Sequence, residues 1–515
     1  MRRAIEAARS GDNETAIENL SNELDHNPTN GYAHMLVAVL CSKLDSYGAM
    51  LQYAQSALKY LPKNEHGARA DMYGNLYDLY ITAKDTVQAM KYLQAAQKEV
   101  ADNESVNRIL VNISLEQGKQ DEAMQHAKFF IKRMPKSEQA YLSMAKVLKA
   151  AGEEDEAIRY CDQALGKTDE KSDERCRVLY TRAKYHQEAG HAEQALSDLM
   201  AAVRIELWGS ADPILRALVD TIPAQVLDSI TAAKQAEPNQ INWDLMLYDY
   251  YYDHHEYIEA ARTGLALLPK YEYGGFVRAV AATLENMVGA PEKAEALLTE
   301  QLRKDSTSAG TYISLADLYA SCERYAEAFA MSDKALSFDT DDDDKRGLYL
   351  VRGRMHQIRH EYEEAVDYFR MCLIANPDDD MMWFRIGKVY GLMNDSVKQA
   401  EAYEQGKQRF AAKGKELTAE AYVALGDTAA AYEAALKMVK KANSAEQQYN
   451  KACVLAQIGH ADEAIEALRL AFENGFRHFN HIAWDTDLDA IRYMPAYTEL
   501  VNEFKQRNEQ EKKEL

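Results

Sequence analysis

Small residues and prolines recur along this chain at intervals close to 34 residues. Pro28 and Pro62 each close a stretch of apolar periodicity. The same phrase returns as Gly118…Ala123-x3-Ala127…Pro135, Gly152…Ala157-x3-Cys161-x2-Ala164, Gly190…Ala195-x3-Leu199-x2-Ala202, Tyr362-x2-Ala365-x3-Phe369…Pro377 and Gly459…Ala464-x3-Leu468-x2-Ala471. A period in this range belongs to a solenoid, whose units are each too thin to bury an apolar face alone and must stack on their neighbours. A globular chain of this length would hold about three domains, but a solenoid grows lengthwise without one central core.

Each unit scans as two amphipathic helices around a tight turn. Tyr141, Met144, Ala145 and Leu148 keep helical spacing; Gly152 interrupts it, and Ala157, Ile158, Cys161 and Ala164 resume it. A small residue early in the second helix lets the two backbones approach, where a larger one would overpack the junction. The glycine accepts a turn with positive φ, and the proline stops the second helix before the next unit.

On these residues the chain resembles the tetratricopeptide repeat, whose phrase is Trp-x2-Leu-Gly-x2-Tyr, then Ala-x3-Phe, then Pro. The nearest first-helix match is Trp383-x2-Ile386-Gly387-x2-Tyr390, followed by Tyr312-x2-Leu315-Ala316-x2-Tyr319 and Tyr349…Gly353. The resemblance covers nearly the whole chain and implies an all-α, right-handed superhelical solenoid of about 12–13 antiparallel helix pairs. Their centres fall at Ala16, Met50, Ala89, Ala123, Ala157, Ala195, Ala260, Ala294, Ala328, Ala365, Ala400, Ala431 and Ala464. The unit beginning at Trp383 carries one extra residue before Ala400 and sets Glu404 where an aromatic is expected.

The phrase divides the chain into an N-terminal array over 1–206, a degenerate pair or joint over 207–240, a central array over 241–410, further repeats over 411–472 and a cap with a charged tail over 473–515. The first unit is cut short: Gly11 and Ala16 already stand in its turn and second helix. Phe476, Phe479, Trp484, Tyr493 and Tyr497 are suited to covering the open edge of the last repeat. The Asp-x-Asp-Leu…Ile-Arg…Pro-x-Tyr phrase resembles the C-terminal cap of many bacterial proteins of this kind. From Lys505 the charged tail is expected to fray.

Composition narrows the functional classes. A net charge of −22 repels phosphate backbones and anionic lipid, so neither nucleic acid nor direct membrane insertion is expected. Six cysteines stand singly, with no spacing for zinc or a disulfide framework. With no signal peptide visible, they favour a cytoplasmic site; a periplasmic one would need a leader removed ahead of Met1. Phosphate loops, nucleophile elbows and HExxH are missing, so an enzyme is not expected, nor a cofactor or metal. His356 and His360 are four apart on a predicted helix, and His478-x2-His481 lies near Asp485 and Asp487; packing is the expected role of both pairs. Asp339–Asp344 and Asn376–Asp380 read as solvated loops that cap the helices after them.

In this family the first helices line the concave groove, and some members clamp a peptide carboxylate there. Phase places Arg108 and Asn112 at two clamp positions, Ser143 at a third, and Arg177 and Thr181 at the last two, so the clamp is incomplete. Arg108, Lys146, Arg177 and Lys184 still form a basic streak in an acidic chain, able to take a carboxylate by charge-assisted hydrogen bonds. Near Tyr248–Tyr257, Tyr252 with Asp249 and Asp253 would face the groove as a contact anchor. The expected function is a non-enzymatic scaffold holding a protein or peptide along the groove. The alternative is the regulatory or targeting array of a larger enzyme or envelope protein.

Overall fold

A computed structural model describes residues 2–9, 12–44, 46–206, 213–338, 342–439 and 444–515. Among them every regular element is a helix, and the helices pack as thirteen antiparallel pairs. The chain divides into two compact units, Met1–Ile222 and Pro223–Leu515. Six pairs fall in the first and seven in the second. The boundary lies inside the stretch 207–240. Helix Pro213–Thr221 covers the last pair of the first unit, and Pro223–Ala236 packs on Ile241–Asp253 at the start of the second. Residues 207–212, with Trp208, lie outside the described residues, as do Asp339–Asp341 of the acidic loop.

The ladder of small residues is what holds each pair together. Eleven of the thirteen centre positions are alanines with no exposed surface, and Met50 is equally enclosed. Each sits where the second helix crosses the first, so enlarging one forces the pair apart at about 1–3 kcal/mol. The turn between the helices takes one residue at positive φ, at Lys84, Gly118 and Gly152 and again at Glu323, His360 and Asn394. First helices of successive pairs also pack on one another, as Glu104–Glu116 does on Glu138–Ala150 and that helix on Asp173–Glu188. Local capping fixes where they begin: the side chains of Asn103, Ser137 and Ser172 accept the amides of Val106, Ala140 and Arg175. Each such cap contributes about 1 kcal/mol.

The thirteenth centre corrects the sequence reading. Ala400 is exposed. The unit beginning at Trp383 holds no extra residue: Gln399, Tyr403 and Gly406 follow Ala365, Phe369 and Cys372 at the common interval. The matching glycines prove the register. A Cβ on Gly353 would come within 2.5 Å of the Phe369 ring, and one on Gly387 would overlap the Tyr403 ring. A Cβ on Gly391 would meet the Gln399 amide, so Gly391 makes the room that the larger residue at the alanine position requires.

Four further expectations change. Helix Asp342–Ile358 ends before His360, which sits in the turn with φ 62°, so His356 and His360 do not share a helical face. Asp380 is buried rather than solvated and pairs with Arg409 Nε at 3.1 Å and Lys413 Nζ at 2.7 Å. Tyr493 is 89% exposed and takes no part in the cap, whereas Phe476, Phe479 and Tyr497 are buried; the Trp484 side chain lies outside the described residues. The tail does not fray at Lys505. Helix Pro495–Glu511 runs through it, burying Phe504 and Asn508, and Lys512 Nζ donates to the Gly289 carbonyl at 2.8 Å.

Candidate functional site

Five of the sequence-selected residues stand along the first-helix layer of the first unit. Arg108 and Asn112 lie on Glu104–Glu116, Lys146 on Glu138–Ala150, and Arg177 and Lys184 on Asp173–Glu188. Lys146 Nζ donates to Asn112 Oδ1 at 2.8 Å, joining two neighbouring helices through one polar contact. Arg177 reaches Glu138 Oε1 at 3.2 Å, and Lys184 lies 4.0 Å from Glu188. Lys149, a residue the sequence reading passed over, contacts both Glu154 at 2.6 Å and Glu188 at 3.1 Å, and these carboxylates hold its ammonium above the usual lysine range. Thr181 spends its hydroxyl on the Arg177 carbonyl, and Ser143 is buried.

The streak is therefore uneven. At the Arg177 and Lys184 end each cation faces a carboxylate. At the Arg108 and Lys146 end, both side chains are exposed and neither makes an ion pair among the described residues. A carboxylate arriving there meets two cations without an ion pair, one of which, Lys146, rests on the Asn112 amide, and the set can donate several charge-assisted hydrogen bonds.

Asp249 and Tyr252 belong to helix Ile241–Asp253 of the second unit. Asp249 is buried. Tyr252 is partly exposed and packs edge-on against Tyr257, with centroids 5.5 Å apart. Its neighbour Tyr248 is buried and shares a 2.8 Å hydrogen bond with Thr283 Oγ1. The seven candidates are thus split between the units, five and two.

The second unit also holds a buried polar cluster that the sequence reading did not assemble. Glu285 accepts from Ser321 Oγ at 2.7 Å. Burial, with Asp317 nearby, pushes its carboxyl up to about 7. His478 Nε2 stands 3.7 Å from Glu285, beyond hydrogen-bond distance, and burial pushes the imidazole down to about 3. His478 stacks on His481 at 5.1 Å, and His481 Nε2 lies 3.4 Å from Asp485. Burial works against the Asp485 carboxylate, yet contacts from His481 and the Tyr449 hydroxyl hold it well below the usual range. Glu285 carries no sequence signal, since its partners come from helices remote in the chain. Among the described residues no group of three or more His, Cys, Asp or Glu side chains converges to hold a metal ion. No helix among them is long and apolar enough to cross a membrane.

Stacked helix pairs with a small residue at each crossing and a left-handed turn residue define an α-helical repeat protein. Residues 445–474, one complete pair, match the family model of the tetratricopeptide repeat, and the other pairs repeat its helix–turn–helix plan. No curated protein matches the chain. Similar solved structures include Naa15/Naa10 bound to HypK-THB, at 14% identity over 99% of this chain and 80% of that one, with a TM-score of 0.31. The APC/C hetero-tetramer Cut9-Hcn1 is 11% identical over 92% and 96%, with a TM-score of 0.32. A repeat-containing protein from Cytophaga hutchinsonii is 12% identical over 52% and 94%, with a TM-score of 0.32. The chain has the architecture of a protein-interaction scaffold.

Proposed function

We propose that the first unit binds an extended acidic peptide along its first-helix layer, without catalysis, and that Arg108, Asn112 and Lys146 take the peptide's carboxylate. The observation that carries this reading is the contrast along the streak. Arg177 and Lys184 already face Glu138 and Glu188, whereas Arg108 and Lys146 make no ion pair among the described residues. An exposed cation with a carboxylate partner gains little by exchanging it for another, so recognition concentrates where cations face no carboxylate. Arg177 and Lys184 then extend the field that draws the ligand in. Tyr252 offers a separate contact point on the second unit, whereas Asp249, which the sequence placed beside it in the groove, is buried.

The test is fluorescence anisotropy with an acidic peptide ending in a free carboxylate, against the same peptide amidated. Arg108→Ala with Lys146→Ala is expected to weaken binding of the free acid about tenfold or more, while Arg177→Ala costs only a few-fold. Equal loss from both variants, or no preference for the free carboxylate, rejects the assignment.

A further inference from the structure

In the second unit the C-terminal segment folds back against a repeat far ahead of it in sequence, and the seam holds an open cavity of about 540 Å³. One wall is the stretch 254–259, where a turn enters helix Tyr257–Leu267. The other is the end of helix Ala461–Glu473, Arg477 and the last turns of helix Pro495–Glu511. A Cβ on Gly475 would come within 2.6 Å of the Tyr257 ring, so cap and repeat meet closely here. Small-ligand sites have volumes of this order, about 300–1,000 Å³.

The charges in the wall do not balance. Four carboxylates, Glu256, Glu259, Glu473 and Glu511, line the cavity against the single guanidinium of Arg477. Arg477 is buried and already engaged: Nη1 donates to the carbonyls of Phe472 at 2.5 Å and Phe476 at 3.1 Å, and Nη2 lies 3.5 Å from Glu511. Glu256 contacts His254 Nδ1 at 2.9 Å, and Glu259 pairs with Arg262 on its own helix. Glu473 is exposed and makes no ion pair among the described residues.

Acidic residues alone would be a solvated surface; Asn508 makes this one a site. It is 2% exposed and lines the cavity, and its Oδ1 accepts from no donor among the described residues. Its Nδ2 turns toward Gly289, 2.8 Å from where a Cβ there would stand, and Gly289 is not in the cavity wall. The unsatisfied oxygen is therefore the end of the amide left to the cavity. A buried acceptor without a donor is costly, and among carboxylates the group that satisfies it is a cation with several N–H donors. A guanidinium fits this best. It is flat and weakly hydrated, carries its donors in a fixed fork, and can lie against the Tyr257 ring in the wall.

We propose that this cavity takes an arginine side chain presented by a partner protein, the guanidinium donating to Asn508 Oδ1 and to the rim carboxylates, chiefly Glu473. The site lies wholly within the second unit and selects a cation, so it goes beyond the first-unit reading and does not depend on it. An occupant would touch the cap and the repeat at once and hold them together.

The probe is acetyl-Gly-Arg-Gly-amide, titrated into the full chain by calorimetry. Its control carries citrulline, which keeps the shape and loses the charge. The arginine peptide is expected to bind about tenfold or more tighter than the control, and Glu259→Gln with Glu473→Gln to weaken it about tenfold. A chain of net charge −22 attracts any cation, so Glu18→Gln with Glu193→Gln removes the same charge from the first unit; affinity should then stay within about twofold. Bound peptide should also slow amide exchange at 254–259 and 505–511 together. Equal binding of the citrulline peptide, equal loss from the two pairs of variants, or unchanged exchange in both segments overturns the proposal. Methylguanidinium binding as tightly as the peptide overturns the assignment to a protein partner.

Discussion

Replacing Glu285 by Gln should stabilise the second unit at pH 8. Glu285 is 8% exposed, hydrogen-bonded to Ser321 Oγ, and close enough to Asp317 to feel its charge. Its carboxyl is raised from 4.5 to about 7. The folded state therefore holds a proton that the unfolded state has already released. Stability from this group is fully present below about pH 4.5, falls as pH rises toward 7, and is constant above that. The gap of about 2.5 in pKa, at about 1.36 kcal/mol per unit, makes the penalty at pH 8 about 3 kcal/mol. Glutamine accepts the same Ser321 bond without the charge. Three of the four tryptophans, Trp243, Trp383 and Trp484, lie in the second unit, so urea unfolding followed by tryptophan fluorescence reports on it. The variant should gain up to about 3 kcal/mol at pH 8 and close to nothing at pH 4.5. His478 works in the opposite sense: its pKa falls from 6.5 to about 3, so its contribution is lost as pH drops below 6.5. In the Gln variant that loss stands alone, and stability should climb steadily from pH 4 to 7. A variant destabilised at pH 8 would refute the reasoning, because it would mean an ionised Glu285 held by His478 and Arg354.

Other outcomes follow from the packing. Gly387→Ala should cost about 1–3 kcal/mol by thrusting a Cβ into the Tyr403 ring, and a second change, Tyr403→Leu, should recover part of it in the same denaturation assay. Glu323→Gly, at φ 59°, should raise stability by about 1 kcal/mol, read as a higher Tm. Deleting 505–515 removes buried Asn508 and the Lys512 contact to Gly289; it should lower the urea midpoint of the second unit and speed amide exchange near Gly289.

The repeat was legible because its energetics are local. A small residue at each helix crossing and a left-handed turn residue recur at one interval, and no distant partner is needed to recognise them. The misplacement of Ala400 shows where that logic slips. Gln399 fills an alanine position only because Gly391 yields the space, a compensation between two helices that neither position reveals alone. The basic streak was legible as a row of cations, but not its asymmetry: whether Arg177 is committed depends on Glu138, nearly forty residues earlier.

The cap was legible as an aromatic cover but not in the reach of its contacts. Nearest-neighbour stacking specifies how one pair meets the next but says nothing about a segment that returns across several pairs. Lys388 and Asp487 are 99 residues apart, and Lys512 and Gly289 are 223 apart. Such contacts rest on residues outside the repeating phrase, where a period carries no information. The same freedom lets them differ from one array to another without disturbing the stack. Specific recognition in the first unit should therefore reside at off-phrase positions on the first helices, with Arg108 and Lys146. Substitutions there should change binding while leaving the unfolding midpoint nearly fixed, whereas substitutions at the buried alanines should do the reverse.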